Sequence, residues 1–301
     1  MKSMNFKHSI IFFNLCILMS PIYRTTNYTL IIFCLFLILI IGISHGALDN
    51  IKGAKLLNLF GYKSMYLFYS SYTFISLLII FFWLILPNLV LLIFLIVASY
   101  HFGKEDTVFK IKKNFILNEI LFFFKGSSVI IAPLFFQRES TNEIFATLNF
   151  YIFENLLFND IFLIIFLVLS LFSSIYLSIG KSIEFKNIMI LDYFSVIILN
   201  IFLTPVLAFT LYFCFLHSIR HSLSLINEMD KSFKKGLKKF AIKAVPLTLV
   251  TGLIFLISIY FLNNLYKVDE AIYKVIFIGL ASLTFPHILL EYLLDKNEKR
   301  T

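Results

Sequence analysis

The sequence predicts an all-α protein, a polytopic transmembrane helical bundle of about ten spans that forms a single integral membrane domain over residues 1–301. Three observations carry this expectation. First, 60% of the residues are hydrophobic and only 14% are charged, whereas a soluble domain carries roughly 25% charged residues. Second, apolar runs recur from Ile10 to Leu294, each near the roughly 20 residues a helix needs to cross a bilayer. Third, the basic residues concentrate on one of the two faces that such a layout creates.

The expected spans are 10–20, 28–44, 65–86, 89–100, 115–136, 161–179, 188–203, 206–223, 244–262 and 271–293. Backbone polar groups in lipid must be satisfied within the segment, so each span is expected to be helical. The first is short. Lys2 and Lys7 precede an apolar stretch, as in a signal peptide, but Pro21 and Arg24 follow with no small-residue cleavage site. It is therefore read as a retained span. Pro87-Asn88 and Thr204-Pro205 mark tight turns between neighbouring spans. Residues 137–160 are expected to form a long loop with an interfacial segment at 151–153.

Lysine and arginine test this layout. The face opposite the N-terminus receives only Arg24, Arg138 and Lys267, and Lys125, Arg220 and Lys274 fall within spans. The rest of the 26 basic residues lie on the N-terminal face. The positive-inside rule makes that face cytoplasmic. The net charge of +9 is then a topology signal and a contact with membrane lipid. Nucleic acid is not an expected partner, because no soluble basic domain is present to bind it. Cys16, Cys34 and Cys214 lie in apolar runs without C-x-x-C spacing, so neither disulfides nor a thiolate metal site is expected.

Histidines carry the functional signal. His8 sits in the basic N-terminal stretch and reads as an exposed flank. His45, His101, His217, His221 and His287 fall near the ends of even-numbered spans, all of which run toward the N-terminal face. Five ionisable side chains thus meet at one depth, where such residues are costly and mark a site or a path. His217 and His221 are four apart and share a helix face, about 6 Å apart along its axis. Neutral imidazoles suit iron, copper, nickel or zinc. A proton relay along the histidines is the competing functional reading. Asp49 follows His45, Asp106 follows His101 and Glu291 follows His287. Each is a candidate acceptor for the second ring N–H of a ligand imidazole. Arg220 lies in an apolar run and is expected to clamp a carboxylate such as Glu291 or Asp106.

At these residues the chain resembles a known family. S-H-G-A-L-D at 44–49, Y-H-F-G-K-E-D at 100–106, H-S-I-R-H at 217–221 and F-P-H at 285–287 resemble the Brp/Blh family of bacterial and archaeal membrane β-carotene 15,15′-dioxygenases. The resemblance covers about residues 40–295. Ser44 departs from the family, where proline often stands. The resemblance implies an Fe(2+) enzyme of the cell membrane that uses O₂ to split β-carotene at its central double bond. The product would be two molecules of all-trans retinal, often supplied to a microbial rhodopsin. By motif, the iron ligands would be His45, His101, His217 and His221, with His287 an additional ligand or a support to them. An apolar tunnel for the carotenoid would draw on the aromatics nearest the ligands, Tyr100, Phe102, Phe213 and Phe285.

Other classes stay open at this level. Membrane di-iron hydroxylases need H-x-x-H-H boxes that this chain lacks, and no H-E-x-x-H of a zinc protease occurs. A histidine-based proton or metal transporter would show a polar path to the second face. A heme-binding electron carrier could use paired histidines.

Overall fold

Proline sets two of the sharpest breaks in the chain. Leu86 leaves helical geometry at φ −132°, ψ 57°, and Pro87 occupies the first helical position after it. Thr204 is extended at φ −60°, ψ 151°, and Pro205 again opens the next helix. Proline lacks the N–H that a first turn leaves unbonded anyway, and its φ is already helical.

The computed structural model of the chain describes residues 2–21, 28–109, 111, 116–151 and 159–298. Its helices are α1 Lys2–Met19, α2 Tyr28–Leu37, α3 Asp49–Leu59, α4 Met65–Ile85, α5 Pro87–Glu105, α6 Ile116–Phe136 and α7 Arg138–Thr147. They continue as α8 Asp160–Leu177, α9 Ile183–Phe202, α10 Pro205–Leu211, α11 Ile219–Met229, α12 Phe233–Leu262 and α13 Val268–Glu298. Among the described residues, 9 helical stretches are long and apolar enough to cross a membrane. The polytopic helical bundle expected from the sequence is therefore the observed fold. α1 is not one of those stretches, but it packs along α9 and buries Phe12 and Cys16. All three cysteines are free and buried.

Three expectations need correction. The span ending at residue 44 does not stop there. It passes through a π-helical turn, Ile38–Gly42, and a 3-10 turn, Ile43–Leu48, and continues as α3. Residues 137–160 are not simply a loop, because α7 occupies their first part. Of the proposed interfacial segment, Tyr151 is exposed and residues 152 and 153 lie outside the described residues. His8 is not an exposed flank: its Nε2 lies 2.8 Å from the carbonyl oxygen of Phe215.

The core is built from α2, α5, α6, α10 and α13, and α4 and α12 stand at the periphery. Trp83 is the one buried residue on α4, and α12 buries only Gly236, Phe240, Ala244 and Phe255. The tightest contact is between α5 and α6. A Cβ at Gly103 would lie 1.8 Å from the carbonyl oxygen of Phe122, and one at Gly126 would lie 1.9 Å from that of Ser99. Glycine is required there for the helices to approach so closely. Each charge expected within a span finds a partner. Lys125 donates to the carbonyl of Gly103 (3.2 Å) and to Thr107 Oγ1 (3.0 Å). Lys274 donates to the carbonyl of Thr147.

Candidate metal centre

Two irregular helical segments build the site. The π-helical turn Tyr212–Ser218 carries His217, and it packs against the π-helical turn Ile38–Gly42. Ser218 donates its hydroxyl to the Gly42 carbonyl at 3.2 Å. A Cβ at Gly42 would stand 2.6 Å from the Phe213 ring, so this position has no room for one. A π turn inserts an extra residue into a helix and shifts the phase of the side chains after it, which is why such turns recur at functional sites.

Four imidazoles meet here from three membrane stretches. His101 on α5 is central, with its ring centroid 5.2 Å from those of His217 and His287. The rings of His221 on α11 and His287 on α13 are 6.2 Å apart. His101, His217 and His287 are all buried. The fifth histidine, His45, lies on the 3-10 turn that enters the same region, but its side chain is outside the described residues.

A carboxylate faces Nδ1 of each of these four rings. His217 Nδ1 is 3.0 Å from Asp106 Oδ1, and His287 Nδ1 is 2.8 Å from Asp49 Oδ1. His221 Nδ1 is 3.2 Å from Glu105 Oε2, and His101 Nδ1 is 3.9 Å from Glu291 Oε2. Glu291 is also 3.6 Å from His287 Nε2 through its other oxygen, which accepts from Lys52 Nζ at 2.6 Å. Two of the pairs extend to a tyrosine. The Tyr212 hydroxyl donates to Asp106 Oδ2 at 2.6 Å, and the Tyr72 hydroxyl lies 3.0 Å from Asp49 Oδ2. A carboxylate on one ring nitrogen fixes the tautomer and orientation of an imidazole and raises the basicity of the other nitrogen.

Of the acids that follow histidines in the sequence, Asp49 faces His287, Asp106 faces His217 and Glu291 faces His101. Arg220 clamps neither Glu291 nor Asp106. Its guanidinium makes a two-pronged pair with Asp192 at 2.6 and 3.0 Å, and it donates to Ser9 Oγ at 2.9 Å. This buried pair ties α1, α9 and α11 together behind the histidines. Glu105, Asp192, Lys52, Tyr72 and Tyr212 had not been singled out. Asp192 carried a legible signal, since it is an acid inside an apolar span. The others sit far in sequence from the groups they meet.

An apolar cavity of about 380 Å³ borders the cluster. His101, His287, Asp49 and Tyr72 line its polar end, and Phe102, Phe213, Phe94 and Phe209 line its wall. Phe102 stands edge-on to His217 with centroids 4.9 Å apart, and Phe213 is stacked on His217 at 5.9 Å. Tyr100 and Phe285 are placed elsewhere. Tyr100 donates to Glu119 and packs on Phe122, and Phe285 packs on Phe94.

The donor set fits a divalent metal. Coordination needs neutral imidazoles with one nitrogen directed at the ion, and carboxylate partners hold Nδ1 of His217, His221 and His287. His101, His287 and Glu291 each place a ligand atom within 4.8 Å of the others'.

Fold and site together define a class: a helical membrane enzyme with a buried histidine–carboxylate centre beside an apolar cavity. The family model described as "Beta-carotene 15,15'-dioxygenase" matches residues 36–295, and the chain belongs to that family, a family of carotenoid-cleaving dioxygenases. A β-carotene 15,15′-dioxygenase of the uncultured marine bacterium 66A03 is 30% identical over 266 residues, covering 85% of this chain and 90% of that protein. No solved structure matches. Family membership decides for the enzyme against the transporter and electron-carrier alternatives.

Proposed function

We propose that this chain uses O₂ and iron(II) to cut β-carotene at its central 15,15′ double bond, giving two molecules of all-trans retinal. The observation that carries the reading is the ring of imidazoles, each with Nδ1 facing a carboxylate, set at the end of an apolar cavity. His101, His217 and His221 would hold the iron with His45, which the family motif supplies. His287, in the same ring, is a further ligand candidate. Bound iron would provide the redox centre at which O₂ is activated.

The protein's own contribution is orientation and exclusion of water. Asp106, Asp49 and Glu105 hold His217, His287 and His221 in the tautomer that presents Nε2. Phe102 and Phe213 brace His217 from two sides. The apolar wall receives a hydrocarbon chain and keeps water away from reactive intermediates. The lysine asymmetry supports a position of the N-terminus and the histidine layer at the cytoplasmic face of a bacterial or archaeal cell membrane. Retinal released there would be available to a microbial rhodopsin.

Expression in a β-carotene-producing bacterium tests the reading. The colour is expected to bleach and retinal to accumulate. Unchanged carotene with the protein present in the membrane would overturn it. His217→Ala is expected to lose both bound iron and cleavage, and full iron content in that variant would remove His217 from the ligand set.

A further inference from the structure

The cavity beside the histidines is closed at one end by the cluster and walled at the other by the two helices that bury least. Phe68, Tyr69, Tyr72, Thr73, Ser76, Leu77 and Ile80 of α4 contribute one side, and Leu247, Thr251, Ile254 and Phe255 of α12 the other. Several of these side chains face two ways. Tyr69 is 43% exposed, Leu77 60% and Ile254 56%, although all three line the cavity. A residue can do both only at a mouth. Both helices carry this mouth within stretches that are apolar and long enough to span the bilayer, so the surface it opens on is the lipid-facing flank of the bundle.

The attachments of the two helices explain the opening. α12 is fastened to α13 by Phe255, whose ring sits where a Cβ on Gly279 would be, 2.2 Å away. α4 is fastened to α3 and α13, with Phe68 against Gly53 of α3 and the Tyr72 hydroxyl near Asp49 and the carbonyl of Leu283. The two helices are thus each held to other neighbours beside the opening.

We infer that α4 and α12 form a lateral portal, through which an isoprenoid hydrocarbon passes from the bilayer core directly to the histidine centre. This rests on the proposed function and adds the route. Such a substrate partitions into the acyl-chain region, and a path through water would forfeit roughly 0.8 kcal/mol per CH₂. A side opening avoids that transfer. Leu77 and Ile254 set the width of the mouth, and Thr73, Ser76 and Thr251 are the polar groups a substrate passes on its way in.

The test narrows the mouth without touching the histidines. Leu77→Trp and Ile254→Trp are compared with Leu84→Trp and Leu249→Trp, which replace side chains 76% and 66% exposed on the same helices but away from the cavity. In the iron-loaded protein reconstituted in liposomes, the mouth variants are expected to lose roughly tenfold in kcat/KM for carotene, the scale of one overpacked side chain. The kcat at saturation and the iron bound per chain should hold. The same variants should bind carotene more slowly without oxygen, followed by its absorption spectrum. The control positions should behave as wild type. Mouth variants indistinguishable from the controls would overturn the portal. So would equal losses at all four positions, or a lipid acyl chain that fills the cavity and is not displaced by carotene. If wild-type protein neither binds nor cleaves carotene, the functional reading has failed, and the portal for this substrate falls with it.

Discussion

The residue that most directly tests the histidine–carboxylate arrangement is Asp106. It sits at the end of α5, 3.0 Å from His217 Nδ1, and accepts from Tyr212 on its other oxygen. Asp106→Asn preserves size but removes the charge, and its amide group can present a donor to the ring. Loss of such a partner costs a metal site roughly 10–100-fold in affinity. Iron titration of the purified variant is expected to show a loss in that range, with retinal formation falling in parallel at limiting iron. Wild-type affinity would mean that His217 is not oriented through Asp106. How the sequence foreshadowed this arrangement is instructive. The histidines were legible because a titratable side chain in an apolar run stands out. Their carboxylates were legible as a set, because Asp49, Asp106 and Glu291 each lie close after a histidine. Which imidazole each acid meets was not legible, because in a bundle the partner comes from a neighbouring helix: Asp49 faces His287 on α13, and Asp106 faces His217. Arg220 illustrates the same limit: its need for a buried acid was evident and Asp192 was readable as an acid in an apolar span, but their pairing between α11 and α9 follows only from helix packing.

At the scale of elements, the decisive contact is the crossing of α5 and α6. Gly103 and Gly126 face each other, with no space for a Cβ on either. Gly103 lies two residues after His101 and just before Glu105 and Asp106, so the crossing sets the height at which three members of the site leave α5. Gly103→Ala is expected to destabilise the solubilised protein by about 1–3 kcal/mol, the usual cost of overpacking, and to lower its iron content. Gly252→Ala on α12 is the comparison. Nothing lies within 4 Å of its Cβ, and replacing a mid-helix glycine there should be neutral or stabilising by roughly 0.5–1 kcal/mol. Thermal aggregation profiles and iron analysis of the two variants check this, and a Gly103→Ala protein as stable as the Gly252→Ala protein would contradict it. Element boundaries divided along similar lines. The starts of α5 and α10 were readable from Pro87 and Pro205. The continuation of α2 through two irregular turns into α3 was not, because residues 45–59 mix polar and apolar side chains and lack the hydrophobicity that identifies a span.

At the scale of the whole molecule, the remaining question is which way the bundle faces. Helix packing alone is indifferent to that, so the argument rests on charge. Lys231, Lys234, Lys235, Lys238, Lys239 and Lys243 crowd the connection into α12 and its first turns, while the connection from α12 to α13 offers Lys267 alone. The translocation machinery retains basic loops of this length on the cytoplasmic side. The three native cysteines are buried, so they form a quiet background for thiol labelling. Lys238→Cys and Lys267→Cys both place a thiol at an exposed position. With a membrane-impermeant maleimide on intact cells, Cys at 267 is expected to label and Cys at 238 to stay unlabelled until the membrane is opened. The reverse pattern would put the N-terminus and the histidine layer on the outer face. It would also count against the proposed release of product on the cytoplasmic side, because the site lies toward the ends of α5 and α13 that share their side of the bundle with Lys238.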